Sequence, residues 1–149
     1  MKLLVAVDGS DESYDALAYA ADIADATNGS VTAAYAVDPA IYDRGGRDPI
    51  STLSDAEQRL VIESVEDAEQ RGMDVLDDTA AFARDLGHEV ETELLYGTPV
   101  VAITDHAESE EFDTIVVGHR GRSERTERAL GSVAKGIIER TSITVTVVR

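Results

Sequence analysis

The sequence predicts an α/β fold: a doubly wound parallel sheet of five strands with helices on both faces, formed by 149 residues as a single domain. Three observations predict it. Strand-like runs and helical patterns alternate five times along the chain. No hairpin signal joins any two of the runs. Two of them, Leu3 to Val7 and Thr114 to Val117, are uninterrupted apolar stretches, as expected of central parallel strands covered on both faces. Right-handed crossovers between such strands place helices on either side.

Taken in order, Leu3 to Val7 is the first strand and ends in Asp8-Gly9-Ser10. Ser10 is a suitable helix cap, and Asp11 and Glu12 favour the positive end of the helix dipole. Tyr14, Leu17, Ala18, Ala21 and Ala24 follow at helical spacing, and Asn28-Gly29 stops the helix. Val31 to Val37 is the second strand, halted by Asp38-Pro39. Ala40 to Thr52 has no period and carries two glycines and a proline, so it reads as a loop that could cover a site. Ser54-Asp55-Ala56-Glu57 is a capping-box pattern opening a long acidic helix to Leu86, with Gly72 a weak point that would allow two shorter helices. In the third strand, Glu89 to Leu95, glutamates alternate with Val90, Thr92 and Leu94, which suits a sheet edge blunted by charge. Thr98-Pro99 opens the third helix. Asp113 to Val117 and Ile143 to Val148 are the last two strands, with a helix from Val133 to Arg140 between them.

The chemistry concentrates after the fourth strand. Gly118-His119-Arg120-Gly121 is followed by nine residues and then by Gly131-Ser132 at the start of the last helix. Glycines let backbone N–H groups come close to a ligand, and a helix N-terminus offers N–H groups and the positive end of a dipole. Ser132 stands where that helix needs a cap. The pattern suits a bound phosphate; a tight turn followed by a capped helix explains the glycines equally well. The spacing Gly-x2-Gly-x9-Gly-Ser resembles the ATP-binding signature of the universal stress protein family. The likeness extends to Val5-Ala6-Val7-Asp8-Gly9-Ser10, to Gly97-Thr98-Pro99 and to the terminal Val147-Val148-Arg149.

That resemblance implies the strand order 3-2-1-4-5 of a Rossmann-like sheet of the adenine nucleotide alpha hydrolase type. Winding then reverses between strands one and four, at Asp8 and Gly118, where open α/β sheets bind ligands. It implies a nucleotide site made of Asp8, Gly9, Ser10, Ala36, Gly118, Arg120, Gly121, Gly131, Ser132 and Val133. The glycines, Ser132 and Val133 would hold phosphates, Asp8 would lie near the ribose, and Ala36 would leave room for the base. ATP or AMP is the expected ligand, with Asp8 as a possible ligand for Mg²⁺. Asp8 has another reading, as the residue that stabilises the Asp-Gly-Ser turn. Arg120, Arg122, Arg125 and Arg128 form a basic cluster that could clamp phosphates or, interleaved with Glu124 and Glu127, make ordinary surface ion pairs. His119 reads as a solvent-facing loop residue rather than a proton shuttle, and His88 and His106 as exposed.

Composition narrows the setting. Thirty acidic residues against thirteen basic ones give −17, and cysteine is absent. Such a surface argues against nucleic acid as a partner. Concentrated salt relieves its self-repulsion, so the expectation is a salt-rich, halophilic cytoplasm, with a merely acidic mesophilic protein as the alternative. No apolar run approaches the ~20 residues that span a bilayer, and Met1-Lys2-Leu3-Leu4 runs into a strand without a signal-peptide cleavage region. Strand five is uncharged and β-branched throughout, a bare edge; the resemblance implies pairing with the same strand of a second subunit in a homodimer. Three functions follow: a regulatory adenine-nucleotide-binding stress protein, a slow ATPase switch using Asp8 and Mg²⁺, or an interaction module without a nucleotide. The phosphate loop of P-loop proteins, the Gly-x-Gly-x2-Gly dinucleotide fingerprint and the hydrolase Gly-x-Ser-x-Gly elbow are all missing.

Overall fold

The computed structural model describes residues 1–39, 55–121 and 130–149. Its elements are β1 (Lys2–Ala6), α1 (Asp11–Thr27), β2 (Ser30–Val37), α2 (Asp55–Asp85), β3 (Glu91–Tyr96), α3 (Pro99–Ser109), β4 (Thr114–Gly118), α4 (Ser132–Arg140) and β5 (Thr144–Val148). The strands form one parallel sheet in the order β3-β2-β1-β4-β5, as expected. The loop expected over Ala40 to Thr52, the Ser54 cap and Arg122, Arg125 and Arg128 lie outside the described residues.

Period-two alternation divides the central strand between two cores. Leu3, Val5 and Val7 point to the face covered by α1 and α2, where they meet Leu17, Ala20 and Leu76. Leu4 and Ala6 point to the face of α3 and α4, against Ile103, Ala107 and Ile137. Both sets are buried, which is why β1 had to be apolar without a break. In register, Ala6 lies between Ala34 of β2 and Val117 of β4.

Local signals behave as their chemistry dictates. Ser10 caps α1, its side chain accepting from the Ser13 N–H, and Asn28 closes that helix in the left-handed conformation at φ 53°. Pro99 opens α3 after Thr98. Gly72 does not divide the long helix: α2 runs unbroken through it. A Cβ there would stand 2.7 Å from Tyr35 Cδ1 and 2.8 Å from Leu94 Cδ1, so glycine lets the helix rest on the sheet. Close packing overrides the weak helix propensity of one glycine. Two histidines expected to be exposed are not. His88 Nδ1 lies 3.3 Å from Asp25 Oδ1 with its side chain 15% exposed, and His106 leans on the Phe112 ring. The His106 imidazole covers apolar surface with its ring, and His88 turns a polar tip to Asp25.

The two margins of the sheet differ. β3 holds Glu91 and Glu93 in solvent, while β5 pairs on one side with β4 and carries four half-buried residues, Val145 to Val148, after an exposed Thr144.

Candidate functional site

β1 and β4 are neighbours, yet their connections leave in opposite directions, so their carboxyl ends part above the sheet. A cavity of about 220 Å³ opens there. Its floor is Ala6 and Val117. Apolar lining comes from Tyr35 and Ala36 at the end of β2 and from Pro99 and Ile103 of α3, which packs beside α4. Gly118, Gly121, Gly131 and Ser132 line it too, and Asp8 and Ser10 stand at β1. Of the ten residues expected at a nucleotide site, nine line this space; Gly9 lines an adjoining hollow instead.

The turn after β1 is built around Asp8. Its Oδ1 accepts from the Ser10 N–H at 2.9 Å and from the Ser10 hydroxyl. Ser10 Oγ in turn accepts from Ser13 N, and Ser13 Oγ donates to the Ser10 carbonyl. The turn-forming role weighed for Asp8 is therefore present, with Gly9 supplying the left-handed φ of 81° that the turn requires. Asp8 Oδ2 faces Gly121, where a Cβ would come within 2.5 Å of it.

The glycine motif closes on itself through the main chain. His119 N donates to Val148 O at 2.8 Å, and Gly131 N donates to His119 O at 2.6 Å. The loop after β4 is thereby tied both to β5 and to the start of α4, which brings Gly118, Gly121 and Gly131 together. Three details differ from expectation. The cap of α4 is Gly131, which has no side chain to offer, and Ser132 is the first helical residue; the extended ψ of 153° at Gly131 sets the boundary one residue earlier than the hydroxyl suggested. Gly118 is also a packing residue, since a Cβ there would lie 2.9 Å from both Cβ and O of Glu12. And His119 is only partly exposed: its Nδ1 is enclosed and has no hydrogen-bond partner among the described residues.

Arg120 lines the cavity but is engaged, its Nε donating to Glu12 Oε1 at 2.8 Å, with both side chains largely buried. The Glu12 carboxyl is held below its usual value of 4.5. The main cause is a hydrogen bond from the backbone N–H of Glu12; burial opposes it, and Arg120 and the nearby His119 reinforce it. A carboxyl lowered in the folded state stabilises the protein above its unfolded pKa, and that contribution is lost as the pH falls through the folded value. Glu12→Gln should therefore flatten the fall of melting temperature below pH 4.5 relative to the parent, in melts recorded across the acid range.

Sequence reasoning missed Tyr35, Ser13, Pro99 and Ile103 as cavity walls. Ile103 and Pro99 carried signals only for a helix core and a helix start, and Ser13 carried none. Tyr35 had one usable signal, its place beside Ala36 at the end of β2. Among the described residues no group of three or more His, Asp or Glu side chains could hold a metal ion, and no helix is long and apolar enough to cross a membrane.

Comparison with known proteins places this geometry. The chain is 29% identical over 148 residues to a universal stress protein of Methanocaldococcus jannaschii, covering 99% of this chain and 81% of that protein. Among solved structures it resembles the universal stress protein UspA from Lactobacillus plantarum, with a TM-score of 0.82, 27% identity, and coverage of 100% of this chain and 97% of that one. It also resembles a universal stress protein crystallised in complex with cAMP, with a TM-score of 0.70, 27% identity and the same coverage of both chains. The family model described as "Universal stress protein family" matches residues 1–149. With its 3-2-1-4-5 sheet and a glycine-lined cavity where β1 and β4 part, the chain belongs to the universal stress protein family.

Proposed function

We propose that the protein is a dimeric regulator of the stress response that binds an adenine nucleotide, ATP or AMP, in the cavity between β1 and β4. One observation carries this reading: a single cavity combines an apolar lining from Tyr35, Ala36, Pro99 and Ile103 with a glycine lining at the start of α4. A flat base suits the first and a phosphate the second. The relative solved with cAMP supports an adenine nucleotide as the class. In this reading the base lies beside Ala36, the ribose beside Asp8 and Ser10, and the phosphates against main-chain N–H groups of Gly121 and of Ser132 and Val133 in the first turn of α4. Glu12 occupies Nε of Arg120 and fixes the guanidinium at the cavity wall, so Arg120 can offer a phosphate only its Nη groups, and the main-chain groups do most of the holding. Mg²⁺ fits as an ion shared between Asp8 and the nucleotide's own phosphates, since Mg²⁺ is usually held by one or two carboxylates and substrate oxygens. Binding is favoured over hydrolysis because Asp8 is the one carboxylate among the described cavity residues: its Oδ1 serves the turn through Ser10, and an Oδ2 that meets Mg²⁺ is not also a general base.

Micromolar affinity corresponds to about −8 kcal/mol, within reach of several charge-assisted hydrogen bonds at ~1.5–3 kcal/mol each. Calorimetric titration with ATP and AMP should give dissociation constants of that order, in KCl from about 0.1 M to about 2 M, because salt screens the repulsion from the acidic surface more than it weakens close amide contacts. No binding at any salt would overturn the reading, and affinity collapsing as salt rises would overturn its halophilic part.

The dimer rests on β5, whose outer edge carries no charged side chain from Thr144 to Val148. Antiparallel pairing of two such edges about a two-fold axis would satisfy both. Sedimentation at micromolar concentration should show twice the chain mass. Thr144 and Val148 turn their carbonyls toward β4, so by alternation Val145 presents its N–H to the outer edge. Val145→Pro removes that N–H and should shift the population to monomer, and a wild-type protein that sediments as a monomer refutes the dimer.

A further inference from the structure

A second hollow, of about 470 Å³, adjoins the cavity. Asp8 and Tyr35 line both spaces. The rest of its wall is Gly9, Tyr14 and four residues of α2: Arg71, Asp74, Val75 and Asp78. Those four share one face of the helix by their spacing of three, four and seven. Gly72 determines how near that face comes, because its missing Cβ lets α2 rest on the Tyr35 ring. Asp74 is held in place by Gln70, whose Nε2 donates to Oδ1 at 3.0 Å.

The inference rests on the nucleotide reading given above. A base beside Tyr35 and Ala36 and phosphates against the glycines would put the sugar beside Asp8. The second hollow begins at Asp8. A substituent on the ribose 2′ or 3′ hydroxyl would therefore leave the cavity and enter the hollow, which has ample volume for it. The charge there is one-sided: Asp8, Asp74 and Asp78 against Arg71, one positive minus three negative, leaves −2. We infer that Asp74 and Asp78 are specificity-determining residues that exclude nucleotides bearing a second phosphate on the ribose, while a neutral group at the same position is accepted. Repulsion of a wrong ligand is as effective a source of selectivity as attraction of the right one. A dianionic phosphate near two carboxylates meets that repulsion at short range. Both aspartates are exposed, so the effect is moderate and sensitive to salt. A single phosphate bridging the 3′ and 5′ oxygens, as in cAMP, adds no second dianion and falls outside the exclusion.

The test compares AMP, its 2′(3′)-O-methylanthraniloyl derivative, and adenosine 2′,5′- and 3′,5′-bisphosphate by titration at low salt. The expected result is that the neutral derivative binds within about threefold of AMP and both bisphosphates bind about tenfold more weakly. The pair D74N/D78N should shrink that gap to about threefold or less, whereas D22N/E139Q, which removes the same charge from exposed positions of α1 and α4, should leave it intact. In about 1 M KCl the gap should close in the unaltered protein. Thermal melts of both variants confirm that each is folded, and D74N alone serves if the pair is not. Bisphosphates binding as tightly as AMP, a gap equally reduced by both double variants, or rejection of the neutral derivative would overturn the inference and leave the nucleotide reading standing. Failure of AMP itself to bind would bring down that reading and the inference with it.

Discussion

Gly121→Val should weaken the binding of ATP or AMP about a hundredfold, equivalent to ~3 kcal/mol. A Cβ at this position would meet Asp8 Oδ2 at 2.5 Å. Asp8 cannot simply give way, because its other oxygen holds the Ser10 N–H and hydroxyl, and Ser10 caps α1. The loop must then move outward, carrying its N–H groups away from the phosphates, and valine's two methyls occupy part of a cavity of only about 220 Å³. Loss of one or two charge-assisted hydrogen bonds at ~1.5–3 kcal/mol each gives the stated size. Gly121 is not among the glycines with positive φ, so the backbone itself tolerates a side chain and the loss should be one of binding. Gly121→Ala should show a smaller effect in the same direction, about tenfold. Calorimetric titration of the three proteins measures this, and a valine variant within threefold of the parent would contradict it.

Gly118→Val should act on the fold instead. Gly118 is buried at the end of β4, and the atoms that a side chain would strike, at 2.9 Å, include the main-chain oxygen of Glu12. That oxygen belongs to the first turn of a helix whose Ala16, Leu17 and Ala20 are locked into the core. It cannot rotate aside as a side chain would. Overpacking of this kind costs about 1–3 kcal/mol, and a rigid neighbour places it toward the upper figure. For a chain of this size each kcal/mol lowers the melting temperature by roughly 2–4 °C, so a fall of about 6–12 °C is expected. Displacement of Glu12 should also part it from Arg120, so the acid dependence of stability should flatten in the same variant. A melting temperature within about 2 °C of the parent would show that α1 shifts freely, contrary to its packing.

The fold was legible because its determinants are local or periodic. The unbroken run at Leu3 to Val7 could only be an inner strand, and the glutamates of β3 could only be a margin. Strand ends moved by one or two residues, as at Glu91 against an expected Glu89, because hydrogen bonding to a neighbour and not side-chain type sets where a strand begins. Most of the cavity could be named in advance, because glycines at the carboxyl end of a strand mark places where side chains are excluded. What remained illegible depends on distant residues. Nothing near Gly118 in the chain announces Glu12, 106 residues earlier, as the reason for its missing side chain. Arg120 looked equally suited to a phosphate or a carboxylate until the fold set Glu12 beside it. Gly72 reads as a break only while Tyr35 is out of view. His119 reads as a solvent-facing residue because polar loops usually are, and the main-chain bonds to Val148 and Gly131 leave it half-buried, with Nδ1 enclosed.

The unlike margins of the sheet bear on how far self-association can proceed. A sheet with two receptive borders can recruit copies without limit and grow into a fibre. Here Glu91 and Glu93 make one border repellent to its own kind, so only the strand ending at Val148 invites a neighbour. Once two such strands have met, neither copy has anything left to offer a third. In the proposed dimer, growth would stop after that single step, and neutralising the glutamates is the change that would remove the stop.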